Sequence, residues 1–215
     1  MTAVAPLVLV VDDEPSVRKS LTRLLASAGY PVEAFASARE FLAREPHPGP
    51  CCLVLDVRMP GLTGIQLQEL LAATGRRMSI VFVSGHADIR TSVKAMKAGA
   101  VDLLTKPVDA QDLIAAIQRA VTRDEHDRAA EARRAEVQRC VGRLTPRETE
   151  VFALVVTGLM NKQVGAALGI GEKTVKVHRA RVMEKMRAGS VAELVRLADR
   201  LGVILPKADR SARPD

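Results

Sequence analysis

Short apolar runs recur through the first half of the chain, and each ends beside a polar residue. Leu7-Val8-Leu9-Val10-Val11 precedes Asp12-Asp13, and Cys52-Leu53-Val54-Leu55 precedes Asp56. Ile80-Val81-Phe82-Val83 precedes Ser84, and Val101-Asp102-Leu103-Leu104 lies just before Lys106-Pro107. Pro31 to Phe35 reads as one more strand. Helical segments separate the runs. Pro15 suits the first turn of a helix and Gly29 its end. Ser37 and Glu40 have capping-box spacing for a short helix. Glu45-Pro46-His47-Pro48-Gly49-Pro50 admits no regular element and must be a loop. Helices are expected from about Thr63 to Ala73 and from His86 to Ala98, the second closed by Gly99. Asp109 can cap a further helix through Val121. This alternation of strand and helix predicts a doubly wound parallel sheet over residues 1–121.

The pattern then changes. From Thr122 to Arg143 there is no Gly or Pro before Gly142, and charges of both signs are mixed. Residues 122–143 read as a helical linker, either continuous with the preceding helix or hinged from it. Ala129, Ala132, Val137 and Val141 form an apolar stripe too weak for a coiled coil. Residues 144–205 show no strand pattern. Thr145-Pro146-Arg147-Glu148 combines a capping box with Pro at the first helical position, and this helix stops at Gly158. Asn161 is expected to cap a second helix ending at Gly169. Gly171 and Glu172 open a third, reaching about Arg187, and Ser190 with Glu193 caps a fourth that ends at Gly202. The tail, residues 206–215, is expected to be disordered. The fold class is α/β followed by a small all-α domain.

Composition changes this picture in three ways. The chain has no Trp and one Tyr, so its cores must be aliphatic. Three cysteines without metal-ligand spacing argue against a disulfide framework and fit a reduced, cytoplasmic protein. No apolar stretch approaches the roughly 20 residues that span a membrane, and no signal sequence is evident at the N-terminus. Charge is uneven. Residues 144–215 carry 13 basic against 8 acidic side chains, whereas residues 1–121 carry 13 against 12. A basic excess confined to the C-terminal third points to a nucleic-acid surface there.

In a parallel sheet, ligands bind beyond the carboxyl ends of the strands. The polar residues that follow the runs therefore belong to one rim. Clustered carboxylates suit Mg²⁺, which takes hard oxygen ligands. A carboxylate is also a nucleophile toward phosphorus, a reaction that needs the phosphoryl charge neutralised by a metal and a fixed cation. Asp12 and Asp13 are placed to position Mg²⁺, Asp56 to act as nucleophile, Lys106 as the cation and Ser84 as a hydrogen-bond donor. Singly, each has a plainer reading: a helix cap, a loop acid, a surface lysine, a turn residue. Their occurrence together at strand ends favours the chemical one.

Those residues sit in motifs that resemble the receiver domain of two-component response regulators. They are Val-Val-Asp-Asp-Glu (10–14), Leu-Asp-Val-Arg-Met-Pro-Gly-Leu-Thr-Gly (55–64), Ser-Gly-His-Ala-Asp (84–88) and Gly-Ala-Val-Asp-Leu-Leu-Thr-Lys-Pro-Val (99–108). The resemblance implies a flavodoxin-like (βα)5 fold. It implies that Asp56 takes a phosphoryl group from a sensor histidine kinase, and that Asp13, Asp56 and the backbone carbonyl of Arg58 bind Mg²⁺ with help from Asp12. Ser84 stands where Thr is commonest and keeps the hydroxyl. Leu103 stands where the family often has an aromatic switch residue, which puts the usual coupling in question. The Arg58 side chain faces the site in this family and is expected to tune dephosphorylation.

Residues 172–187 carry the basic excess. At 100° per residue Val175, Val182 and Met186 share one face with Met183 beside them, and Lys173, Lys176, Val177, Ala180 and Arg181 lie opposite. An apolar stripe to dock and a basic face to present is what a helix in a major groove needs. Lysines and arginines there would neutralise phosphates or reach guanine, and Val177 would touch a thymine methyl. His178 and Arg179 lie on the flanks, and Lys162 opens the preceding helix. Leu-Thr-Pro-Arg-Glu-Thr-Glu-Val (144–151), Gly-Leu-Met-Asn-Lys-Gln-Val (158–164) and Lys-Thr-Val-Lys-Val-His-Arg (173–179) resemble the LuxR/FixJ-type helix-turn-helix domain. Thr174 joins the expected DNA contacts on that resemblance. Gly171 and Gly165 depart from the usual Ser and Ala, which predicts a softer domain.

Together the two resemblances imply a transcription factor that dimerises when phosphorylated and binds paired sites on double-stranded promoter DNA. A sensor histidine kinase and RNA polymerase are the other expected partners, with no membrane association. DNA binding without phosphorylation is the alternative that Leu103 keeps open. A Mg²⁺-dependent phosphohydrolase is the rival from another class. Its acids would lie two residues apart on the first strand, whereas these are adjacent, with the nucleophile on the third.

Overall fold

The computed structural model describes residues 4–85 and 89–201. The chain divides into two compact units, Met1–Arg128 and Ala129–Asp215.

The first unit is a five-stranded parallel sheet in the order β2-β1-β3-β4-β5. Its strands are β1 (Leu7–Val11), β2 (Val32–Phe35), β3 (Cys51–Asp56), β4 (Ser79–Ser84) and β5 (Asp102–Thr105). The helices are α1 (Pro15–Ser27), α2 (Ala38–Leu42), α3 (Gly64–Ala73), α4 (Ile89–Lys97) and the part of α5 (Ala110–Val141) up to Arg128. Every residue of β1, β3 and β4 is buried, as expected for strands covered on both faces. Successive side chains alternate between two cores. Leu9, Val11, Leu53, Leu55 and Phe82 pack with Phe41 of α2, Leu67 and Leu71 of α3 and Ala95 of α4. Val8, Val10, Val54, Val81 and Val83 pack with Leu21 and Leu25 of α1 and Leu113 and Ile117 of α5. Val11 pairs with Leu55, Asp56 with Val83, and Ser84 with Thr105. This register brings the strands' carboxyl ends to one rim.

Local signals act largely as the residue types dictate. Ser37 accepts the Glu40 N–H, and Thr63 with Gln66 completes a capping box on α3. The helix expected from His86 is α4, described from Ile89; His86, Ala87 and Asp88 lie outside the described residues. Asp109 accepts the N–H groups of Gln111 and Asp112 at the head of α5. That helix runs on past Val121 to Val141, the continuous form of the linker, because no Gly or Pro interrupts it.

The second unit contains α6 (Pro146–Val156), α7 (Asn161–Leu168), α8 (Glu172–Met186) and α9 (Val191–Arg200) around Val151, Val155, Val164, Val175, Val182 and Leu194. The expected cap at Asn161 is displaced by one residue. Met160 is the N-cap, and its N–H is held by the Gln163 side chain at 2.9 Å. Gly202 and the tail from Pro206 lie outside the described residues. Among the described residues no helix is long and apolar enough to cross a membrane, and the three cysteines are buried free thiols.

Candidate acidic site and nucleic-acid interface

Asp12 follows the last residue of β1, and Asp56 is the last residue of β3. Both are buried, whereas Asp13 is exposed. One carboxylate oxygen from each of Asp12, Asp13 and Asp56 lies within 4.8 Å of the others. Lys106, just beyond β5, reaches into the cluster. Its Nζ lies 2.6 Å from Asp12 Oδ2 and 3.4 Å from Asp56 Oδ2. The Lys106 N–H donates to the Ser84 carbonyl at 2.8 Å, which joins the ends of β4 and β5. Ser84 is buried. The structure thus gathers Asp12, Asp13, Asp56, Ser84 and Lys106 along one rim.

The electrostatics follow from this crowding. Burial pushes the Asp56 carboxyl above its ordinary value of 3.8; Lys106 opposes the rise and the Asp12 charge adds to it, while the Arg58 N–H aimed at the carboxylate lowers it. Burial disfavours the Lys106 ammonium, but its hydrogen bond to Asp12 and the charges of Asp56 and Asp12 outweigh that, and its pKa rises. Three hard oxygen donors, two of them desolvated, suit a small divalent cation such as Mg²⁺. A cation there would offset the repulsion between Asp12 and Asp56 that one ammonium only partly relieves.

Arg58 and Leu103 complete the expected set. The Arg58 side chain is exposed. Leu103 is half-buried and packs against the core under α2, α3 and α4.

Two more residues belong to the site, Arg18 outside the motifs read from sequence and Gly64 at the end of the 55–64 motif. Arg18 of α1 donates from Nη1 to the Asp12 carbonyl at 2.7 Å. Gly64 opens α3 directly against Asp56, so closely that a Cβ would lie 2.2 Å from the Asp56 carbonyl oxygen.

In the second unit, α7 and α8 meet through a short turn. Gly169 adopts φ 66°, and the Ile170 N–H returns to the Gly165 carbonyl at 3.0 Å. A Cβ on Gly165 would lie 2.7 Å from the Ile170 carbonyl oxygen. Here glycine fits a close approach of the turn, and that contact sets against its low helix propensity. Along α8, Val175, Val182 and Met186 are buried, while Lys173, Thr174, Lys176, Val177, Ala180 and Arg181 are exposed. Val177 is 50% exposed, a bare isopropyl group among cations. Lys162 is exposed on α7. His178 and Arg179 are half-buried. Arg179 Nη1 donates to Asn161 Oδ1 at 2.8 Å, so this arginine braces α8 against α7. Lys185 does not belong to the basic face. It pairs at 2.6 Å with the buried Glu148 of α6.

Comparison with known proteins agrees with both units. Residues 8–118 match the response regulator receiver domain, and residues 142–198 match the bacterial regulatory proteins of the luxR family. The chain is 48% identical over 197 residues to Nodulation protein W of Bradyrhizobium diazoefficiens, covering 92% of this chain and 87% of that protein. It is 42% identical to the transcriptional regulatory protein FixJ of Azorhizobium caulinodans, covering 90% and 92%. The solved structure of the response regulator StyR superposes with a TM-score of 0.81 at 45% identity, covering 92% of this chain and all of that one.

Proposed function

Because this chain belongs to the response regulators that join a receiver domain to a LuxR-type DNA-binding domain, we propose that phosphorylation of Asp56 controls its binding to promoter DNA. The observation that carries this reading is the placement of Lys106 between Asp12 and Asp56, beside the exposed Asp13. A carboxylate oxygen of Asp56 attacks the phosphorus of a kinase phosphohistidine. The new O–P bond replaces the P–N bond, and the released imidazole takes a proton from solvent. Lys106 balances charge on the phosphoryl oxygens, and the Ser84 hydroxyl donates to one of them. Asp12, Asp13, Asp56 and the Arg58 carbonyl would hold Mg²⁺, which supplies further charge neutralisation when bound. The exposed Arg58 side chain would tune loss of the phosphoryl group. The protein catalyses nothing beyond its own phosphorylation and dephosphorylation.

The receiver spans residues 1–121, the linker 122–143 and the DNA-binding domain 144–205. The phosphorylated state dimerises through α4, β5 and the neighbouring α5. Ile89 of α4 is 84% exposed, with Val93 and Met96 also bare, an apolar face that a second copy would cover. Each α8 enters a major groove. Lys173, Lys176 and Arg181 would contact phosphates or guanine, Thr174 and Val177 the base edges, and Lys162, His178 and Arg179 the backbone. RNA polymerase is the downstream partner, a sensor histidine kinase the upstream one, and the cytoplasm the site of action.

A second reading, DNA binding independent of phosphorylation, rests on Leu103, which packs into the core where an aromatic switch is common. Mass in solution and affinity for a promoter fragment, with and without Mg²⁺ plus beryllofluoride, separate the two. The first reading expects wild type to dimerise and tighten on DNA while Asp56→Ala does neither. Equal binding by both proteins in every condition supports the second.

A further inference from the structure

Asp12 is held at every polar atom it has. Its N–H donates to the Phe35 carbonyl at 3.3 Å. Oδ1 accepts the Glu14 N–H at 2.9 Å and Oδ2 the Lys106 ammonium at 2.6 Å. Its carbonyl lies beyond the last strand-paired residue of β1, Val11, and accepts from Arg18 at 2.7 Å. That last bond acts on more than Asp12. The carbonyl belongs to the peptide unit whose other end is the Asp13 nitrogen. A planar peptide fixed at its oxygen is fixed at both flanking Cα atoms. Arg18 therefore sets the plane from which the Asp13 side chain departs. Asp13 has no comparable support of its own. It is the exposed member of the carboxylate triad, and no side-chain hydrogen bond or ion pair holds it among the described residues.

We propose that Arg18 is a positioning residue for the divalent cation site: by clamping the Asp12–Asp13 peptide from α1 it holds the Asp13 carboxylate in ligand geometry. The inference rests on the metal-dependent reading above. It has a sign that a charge argument does not share. A guanidinium near three carboxylates repels a second cation, so on charge alone its loss would tighten Mg²⁺ binding. Loss of a ligand's outer support weakens it, by on the order of tenfold at the lower end of such effects.

The test is calorimetric titration of the full-length chain with Mg²⁺, comparing wild type, Arg18→Met, Arg18→Lys and Asp13→Asn, with thermal unfolding in EDTA as the check on folding. Arg18→Met is expected to bind Mg²⁺ about tenfold more weakly. Arg18→Lys, which keeps the charge and a single donor, should fall between it and wild type. The Mg²⁺ concentration for half-maximal labelling by acetyl phosphate should rise in parallel, with a smaller change in the rate at saturation. Affinity equal to or tighter than wild type in folded Arg18→Met overturns the proposal. If that variant does not fold, wild-type affinity in Arg18→Lys overturns it instead. Asp13→Asn separates the two levels. If it binds Mg²⁺ like wild type, the metal reading itself fails; if it weakens while the Arg18 variants do not, only the positioning role fails.

Discussion

A methyl group on Gly64 would lie 2.2 Å from the Asp56 carbonyl oxygen and 3.1 Å from the Leu55 side chain. The Gly64 N–H meanwhile donates to the Val57 carbonyl at 3.1 Å, tying α3 to the chain just past β3. The head of α3 thus rests on the backbone of the residue read as phosphoacceptor. Gly64→Ala leaves two ways out: α3 withdraws, or the Asp56 peptide moves. Either costs about 1–3 kcal/mol, the usual range for overpacking. Calorimetry of the full chain should show a lower melting temperature for the receiver transition with that of the DNA-binding domain unmoved. Labelling by acetyl phosphate should slow as well. Full stability in Gly64→Ala would mean that the contact is relieved freely and that Asp56 is not braced by α3.

The Asp124 carboxylate works at the far end of the same strand. It is buried, and its Oδ2 accepts the Cys51 N–H at 2.9 Å and Arg128 Nε at 2.6 Å. Strand β4 begins opposite Cys52, so Cys51 stands outside that ladder and takes a side-chain acceptor in its place. Asp124→Ala leaves a buried N–H without a partner and should destabilise the receiver by about 1–3 kcal/mol. Asp124→Asn keeps an oxygen acceptor and should cost less. Equal losses in the two variants, measured by calorimetry, would show that packing rather than the hydrogen bond is at work.

The contrast between Asp56 and Asp124 shows what sequence can and cannot reveal. Asp56 ends an apolar run, and the rule that places ligands at strand carboxyl ends is enough to bring it beside Asp12, Asp13 and Lys106. The paired carboxylates and the lysine need only strand order to be found. Asp124 lies in a stretch of mixed charge with no periodic signal, 73 residues from its partner in sequence. Nothing local distinguishes it from Glu125 or Asp127. Arg18 is hidden for the same reason: a basic residue on the polar side of α1, whose acceptor is a backbone atom. In the second unit, the apolar stripe of α8 identifies its buried face. The brace from Arg179 to Asn161 and the pair Lys185–Glu148 are side-chain choices that helical periodicity does not encode. The misplaced cap at Asn161 has a related cause. Asn is a strong N-cap by residue type, but Gln163 stands three residues after Met160 and closes the reciprocal bond there instead.

Glu148 makes the stability of the DNA-binding domain depend on pH. The hydrogen bond from Lys185 and then the Thr145 N–H hold its carboxyl down from an ordinary value of 4.5 to about 2. A carboxylate whose pKa is lower folded than unfolded stabilises the fold above the unfolded value and loses that contribution as pH falls through the folded one. The domain should therefore weaken as pH drops from about 4.5 toward 2. Glu148→Gln should be less stable than wild type at pH 7 and show a shallower decline over that interval. Thermal midpoints at a series of pH values decide the matter; parallel curves for the two proteins would remove Glu148 as the titrating group.

The exposed face of α8 makes a separable claim about how DNA is held. Lys173 is exposed and carries no ion pair among the described residues. If it neutralises a phosphate, Lys173→Ala should weaken binding to every sequence alike and reduce the slope of log affinity against log salt by about 0.9. Val177 bears no charge. Val177→Ala should leave the salt slope where it is and relax preference at one base position, since a methyl contact reads thymine without releasing counterions. Arg179 belongs to a third category because one of its nitrogens is committed to Asn161. Arg179→Ala should lower both DNA affinity and the domain's melting temperature, while Asn161→Ala should lower the melting temperature with an unchanged salt slope. Affinity measured at several salt concentrations on a promoter fragment and on random DNA resolves the three. A salt slope unmoved by Lys173→Ala, together with base preference unmoved by Val177→Ala, would place some other face of the domain in the groove.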